Sequence, residues 1–214
     1  RLIQRWIDEN PPFSGNGWEP YPSSLRIVNW IKWAMAGNKF EEEWLNSLAV
    51  QVRFLSQNLE YHLLGNHIFS NAKALIYAGC FFSSSEANKW LDKGLELLSG
   101  ELQEQVLADG GNFERSTMYH AIFLEDLLDL INIVQSQNVT NLFECVAEWK
   151  VVIANMIDWM GSMTHPDGEI SLFNDAAFKI AHTHKDLISY AERLGLTFNT
   201  ADGCNKDSGS TDEI

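Results

Sequence analysis

The chain has 214 residues, 45% of them hydrophobic, and a formal net charge of −14. That length and apolar share suit one globular unit with a substantial core. The acidic balance speaks against a nucleic-acid-binding face, which needs basic charge, and no apolar run approaches the roughly 18 residues of a membrane-spanning helix.

Apolar residues recur at three- and four-residue spacing through most of the chain, which predicts an all-α protein. A first amphipathic helix covers 2–8, starting at once with no secretion-signal pattern before it, so the chain reads as beginning inside a longer protein. A loop over 11–22, rich in Pro, Gly and Asn, leads to a helix over 23–37. Ser23 and Ser24 offer it hydroxyl caps, and Gly37-Asn38 ends it. Helices over 41–59 and 67–82 follow, then one over 85–99, capped by Ser83-Ser84-Ser85-Glu86 and closed at Gly100.

The tight turn Asp109-Gly110-Gly111 precedes a helix over 114–136, followed by one over 141–162. The next connection, 164–175, contains His165-Pro166-Asp167-Gly168-Glu169, a corner sequence, and Glu169-Ile170-Ser171-Leu172-Phe173 is a candidate short strand. A last helix covers 184–194. Short connections between broad apolar faces predict antiparallel neighbours, and polar loops after every second helix predict one shared rim. The helical unit spans 1–198, and 199–214 is a loose polar tail.

Three cysteines, Cys80, Cys145 and Cys204, lack metal-ligand spacing and leave one unpaired in any disulfide scheme. Cys80 and Cys145 sit in apolar helical contexts and read as small core residues. No cofactor is expected and no metal ligand is assigned, the spacing of Asp167, Glu169 and Asp175 not specifying a site for calcium or another metal. Eight tryptophans leave two readings open, buried core or platforms for sugar rings.

The most informative stretch is Asn112-Phe113-Glu114-Arg115-Ser116-Thr117-Met118-Tyr119-His120. On one helix Glu114, Ser116, Tyr119 and His120 cannot all face the core, so some of them line a cleft or meet solvent. A phenol beside an imidazole is either a proton-transfer pair or a packing pair with satisfied hydrogen bonds. Two other segments mix Asn, His, Tyr and Trp near helix starts: Trp18-Glu19-Pro20-Tyr21-Pro22-Ser23-Ser24-Leu25-Arg26-Ile27-Val28-Asn29-Trp30, and Asn66-His67-Ile68-Phe69-Ser70-Asn71-Ala72-Lys73-Ala74-Leu75.

In that order the three segments resemble the N-terminal domain of the heparinase II/III-like polysaccharide lyases and related alginate lyases, over roughly 15–180. The resemblance implies an incomplete (α/α) toroid, with a β-sandwich domain carrying a further catalytic histidine downstream. It implies β-elimination beside a uronic acid of an acidic polysaccharide or oligosaccharide, and a periplasmic or secreted location. By motif position Asn66 would neutralise the uronate carboxyl with help from His67, and Tyr119 would be the acid toward the leaving oxygen. Trp18, Arg26, Asn29, Glu114 and His120 would line the saccharide subsites.

Each residue also has a plainer reading. Asn66 could shape the backbone after Gly65, and His67 has no sequence-local carboxylate to orient it. Arg26 could pair with Glu19 or Glu114. Arg26, Arg53, Lys73 and Arg115 form the only local basic cluster to be expected, so an alginate-like or surface polysaccharide fits better than heparin. A carbohydrate-binding relative without turnover is one alternative. An (α/α)-barrel glycoside hydrolase using Glu114 and Asp175 as its two carboxylates is another.

Overall fold

The computed structural model describes residues 1–63 and 65–197. The described residues form eight α-helices: α1 (Leu2–Glu9), α2 (Pro20–Met35), α3 (Glu42–Gln57), α4 (Asn66–Phe81), α5 (Ser85–Gln105), α6 (Thr117–Ser136), α7 (Phe143–Ser162) and α8 (His184–Arg193). All eight helices expected from the apolar spacing are present. The tail expected over 199–214 lies outside the described residues.

The differences lie at helix ends and have local causes. Helix α2 starts at Pro20, since proline at a first position gives up no hydrogen bond. Ser24 therefore falls inside the helix and donates its hydroxyl back to the Pro20 carbonyl at 2.9 Å. Helix α5 runs through Gly100 to Gln105; the glycine faces open space, and its cost of about 1 kcal/mol is outweighed by burial of Leu98 in the same helix. Helix α6 begins at Thr117, later than expected, because Arg115 adopts a left-handed φ of 55°. Ser116 then caps the helix, its Oγ accepting from the Tyr119 N–H at 3.3 Å. The candidate strand at Glu169–Phe173 is reduced to an isolated bridge between Thr164 and Ile170.

Helix α4 is the centre of the fold. Its residues are buried without a break from Ile68 to Ala78, and it packs against α2, α3, α5 and α6. Helix α6, equally apolar, adds contacts to α7 and α8. The alternate helices α2, α4 and α6 run parallel. Near their starts, Tyr21 of α2 stacks on His67 of α4, ring centroids 4.5 Å apart. Further along, Lys73 of α4 and Lys32 of α2 both reach Asp129 of α6. With α3, α5 and α7 returning outside them, this is an incomplete (α/α) toroid. No helix is long and apolar enough to cross a membrane among the described residues.

Aromatic packing accounts for much of the tryptophan content. Trp6 of α1 lies 5.5 Å from Trp30 and 6.0 Å from Trp18, and Trp18, Trp30, Trp90 and Trp149 are all buried. Cys80 and Cys145 are free and half-buried against the core, and burial pushes the Cys80 thiol up to about 12.

Candidate functional site

Three helix starts converge on one side of the toroid, and the polar motif residues sit there. Gly65 caps α4 in a left-handed conformation, φ 83°. A side chain there would be strained, and its Cβ would stand 3.0 Å from the Glu114 carboxylate. After α5 the chain turns back through a bridge between Val106 and Asn112. The turn brings Asn112 and Glu114 over the start of α4. Gln105, fully buried, ties the two together by donating to the Gly65 carbonyl at 2.9 Å. The expected shared rim extends to the 164–175 connection: Asn174 donates to the Glu114 carbonyl at 2.7 Å, and Thr117 donates to the Ser171 carbonyl.

Asn66, Glu114 and Tyr119 line a single narrow crevice together with Asn112, Gln105 and Asp126. His67 stands beside it rather than in it. Asn66 donates through Nδ2 to the Tyr21 hydroxyl at 3.4 Å, and the Tyr21 ring lies on His67. Tyr21 therefore links the two, and its phenol is held above its ordinary value by burial and by the negative charge of Asp126. Burial, reinforced by the charge of Asp175, also raises the Glu114 carboxyl.

The structure supplies a partner for His67 that the sequence does not reveal. His67 Nδ1 is 3.2 Å from Oε1 of Glu60, a buried carboxylate seven positions earlier in the chain. The other oxygen, Oε2, accepts from Asn71 Nδ2 at 3.2 Å. Tyr21 and Asn71 lie inside the motif segments but carry no expected role there, whereas Glu60 is a site residue that no local pattern marks, because its contact with His67 depends on how the chain before α4 packs against that helix.

Asn29 is exposed beside a second recess of about 160 Å³, lined also by Lys32, Lys73, Asp126 and Asp129. Asp126 belongs to both recesses. A third of about 700 Å³ continues past Asp129 between α2, α6 and α8. A row of three recesses thus follows α6, neighbouring ones sharing Asp126 or Asp129 as lining.

Three expected subsite residues do not face it. Trp18 is 3% exposed, held in the Trp6 cluster by apolar burial. Arg26 lies 3.8 Å over the Trp6 ring and donates to Gln51 at 2.6 Å, to the Gly17 carbonyl at 2.7 Å and to Ser23 at 3.1 Å. It pairs with neither Glu19 nor Glu114, and burial alone lowers its guanidinium to about 10. His120 is fully buried. Its Nε2 bonds the Met156 carbonyl at 2.9 Å, and its ring lies 4.5 Å from Trp159.

The expected basic cluster does not gather as free charge: Lys73 lines the second recess but is paired there, and Arg115 is exposed beside Glu114. Arg53 pairs on the surface with Glu86 at 2.7 Å. Lys73 is buried between Asp126 and Asp129, each at 2.5 Å. Burial alone would pull the Lys73 ammonium down, but the two carboxylates overcome it and hold it above its ordinary value.

A half-open ring of paired helices with an amide, a phenol and a carboxylate-bound imidazole at its rim defines the class: an incomplete (α/α) toroid with a polar rim. The chain belongs to the heparinase II/III N-terminus family, whose pattern matches residues 4–196. It is 26% identical to a heparin-sulfate lyase of Bacteroides thetaiotaomicron over 82% of this chain and 27% of that protein. It is 30% identical to one of Pedobacter heparinus over 64% of this chain and 20% of that protein. Among solved structures it superposes on heparinase III with a TM-score of 0.71 at 22% identity, covering 91% of this chain and 32% of that one. For a heparan sulfate lyase of Pedobacter heparinus the TM-score is 0.65 at 24% identity, with the same coverage. The chain therefore spans about a third or less of the relatives it matches.

Proposed function

We propose that this chain forms the carboxylate-binding wall of a polysaccharide lyase that cleaves beside a uronic acid by β-elimination. The observation that carries this reading is that Asn66 and Tyr119, more than fifty positions apart, line one crevice with Tyr21 joining Asn66 to His67.

In such a cleavage the C5 proton leaves to a base, its electron pair forms the C4–C5 double bond, and the C4–O bond breaks. The departing oxygen takes a proton. The C5 proton is weakly acidic until the neighbouring carboxylate is neutralised, so fixed donors aimed at that group supply the largest share of stabilisation. Asn66, assisted by His67, fills that role, and Tyr119 supplies the proton to the leaving oxygen. The convergent starts of α2, α4 and α6 add the positive ends of three helix dipoles, which offset the acidic balance of the chain locally. Asn29 and Glu114 contact flanking sugar.

With Arg26 and Arg53 engaged elsewhere and Lys73 neutralised by Asp126 and Asp129 in the recess it lines, the reading favours a uronic-acid polymer carrying few sulfates. A β-sandwich part supplying a further histidine completes the active site, and a polymeric substrate places the protein in the periplasm or outside the cell. The test is incubation of the whole protein with alginate, low-sulfate heparan sulfate and heparin, reading ultraviolet absorbance of unsaturated uronate. Absorbance rising on a low-sulfate polymer supports the proposal. Bond cleavage without absorbance would indicate a hydrolase, and saturable binding without cleavage a carbohydrate-binding relative.

A further inference from the structure

We infer that Glu60 is a positioning residue that fixes the tautomer of His67, so that the imidazole carries its hydrogen on Nδ1 and presents Nε2 as its working nitrogen. The inference deepens the reading of His67 as the residue that assists Asn66 but rests on hydrogen-bond polarity, which holds whether or not the protein turns over substrate.

The polarity can be followed from backbone groups, whose donor and acceptor ends are unambiguous. The Ser24 hydroxyl donates to the Pro20 carbonyl at 2.9 Å, leaving its oxygen as an acceptor. Asn71 Nδ2 fills that role at 3.0 Å. The Glu60 backbone N–H donates to Asn71 Oδ1 at 3.0 Å, so the Asn71 amide cannot be reversed without placing two donors face to face. Asn71 Nδ2 must then donate to Glu60 Oε2. The remaining oxygen, Oε1, faces His67 Nδ1. An ionised carboxylate only accepts, so Nδ1 carries a hydrogen. Glu60 takes the Nδ1 edge of the ring and Tyr21 covers one face, while 34% of the His67 side chain stays exposed. Whatever proton His67 gives or receives passes through Nε2, as second-shell carboxylates impose on metal-bound and catalytic histidines elsewhere.

The same chain of bonds makes a prediction that a merely structural glutamate would not. In Glu60→Gln the Asn71 Nδ2 donor still requires an acceptor, so the new amide turns its oxygen to Asn71. Its NH₂ then faces His67 Nδ1, which must become an acceptor, and the hydrogen moves to Nε2. Long-range proton–nitrogen spectra of the ¹⁵N-labelled chain, recorded at about pH 8.5 where imidazoles are neutral, report the tautomer directly, with His67→Gln to assign the resonance. The expected result is Nδ1–H in the unsubstituted chain, Nε2–H in Glu60→Gln, and a mixture in Glu60→Ala, where Nδ1 has no partner. An Nε2–H tautomer in the unsubstituted chain overturns the inference, and so does Nδ1–H persisting in Glu60→Gln. The unsubstituted spectrum decides by itself should both variants fail to fold. If the tautomer is as stated but the whole protein releases no unsaturated uronate, the lyase reading falls and this inference stands.

Discussion

The backbone N–H of Asn112 donates to Nδ1 of His120 across 3.2 Å, and this bond makes His120 a neutral structural residue. With Nδ1 accepting, Nε2 carries the hydrogen and donates to the Met156 carbonyl. The imidazole thereby pins the turn bearing Asn112 and Glu114 onto α7. Protonation would break the Asn112 bond and put a charge in the core, so burial holds the group down to about 4, from an ordinary 6.5.

The consequence for stability has a definite sign. Because the folded value is depressed, the unfolded chain binds more protons between pH 6.5 and about 4. Stability from this residue is complete above 6.5 and is lost as pH falls through that window. The loss amounts to about 3 kcal/mol. Denaturant midpoints measured from pH 7 to 4 should fall steeply, and His120→Gln, although less stable at pH 7, should show a flatter profile. Equal slopes in both proteins would show that His120 titrates normally.

Lys73 gives a second stability prediction. It is buried between Asp126 and Asp129, and Asp129 also receives Lys32 at 2.5 Å and the Tyr190 hydroxyl at 3.0 Å. Burial alone would raise Asp129, but Lys73 and Lys32 hold it below its ordinary 3.8. Its contribution is therefore present above 3.8 and lost as pH falls through the folded value, while that of Lys73 is present below 10.5 and lost at higher pH. At neutral pH both are complete. Lys73→Met leaves a buried carboxylate short of a partner and should cost about 3–5 kcal/mol. Arg53→Met breaks an exposed pair and should cost less than about 1 kcal/mol. Equal losses, measured by chemical denaturation at pH 7, would refute the difference in burial.

Periodicity made the helices legible because a helix that buries one face must repeat its apolar residues at helical spacing. The failures lie where long-range packing decides. Trp18 and Arg26 sit in a segment that looks like a sugar site, yet α1 brings Trp6 against both and claims them for the core. His120 follows Tyr119 directly, but successive helical positions point about 100° apart; Tyr119 meets the crevice and His120 meets α7. Glu60 was invisible for the opposite reason: it shares no helix-facing pattern with His67, and only the packing of the chain before α4 brings it there.

The whole-protein reading predicts how the chain behaves alone. Its core is continuous from α1 to α8, so it should fold cooperatively and give a single denaturation transition. Turnover should be at or below about one hundredth of that of the whole protein, because a missing general base or acid alone costs about 10²–10⁴-fold. Robust release of unsaturated uronate by these 214 residues would refute the need for a further domain.

Tyr119→Phe in the whole protein separates chemistry from packing most sharply. The ring packs against the core and lines the crevice with Asn66. Removing only the oxygen therefore preserves the apolar contacts. If the hydroxyl supplies the proton to the leaving oxygen, turnover should drop by about 10²–10⁴-fold, or roughly 3–5 kcal/mol of barrier, with the melting temperature nearly unchanged. Asn66→Ala should also lower turnover, through loss of carboxylate neutralisation, and its Tyr21 bond at 3.4 Å is too long to cost much stability. A packing role predicts the reverse: a lower melting temperature and an unchanged rate per folded molecule. Turnover on a low-sulfate uronic-acid polymer, measured beside thermal denaturation of the same preparations, decides between them. A fully active Tyr119→Phe protein would remove Tyr119 from the mechanism.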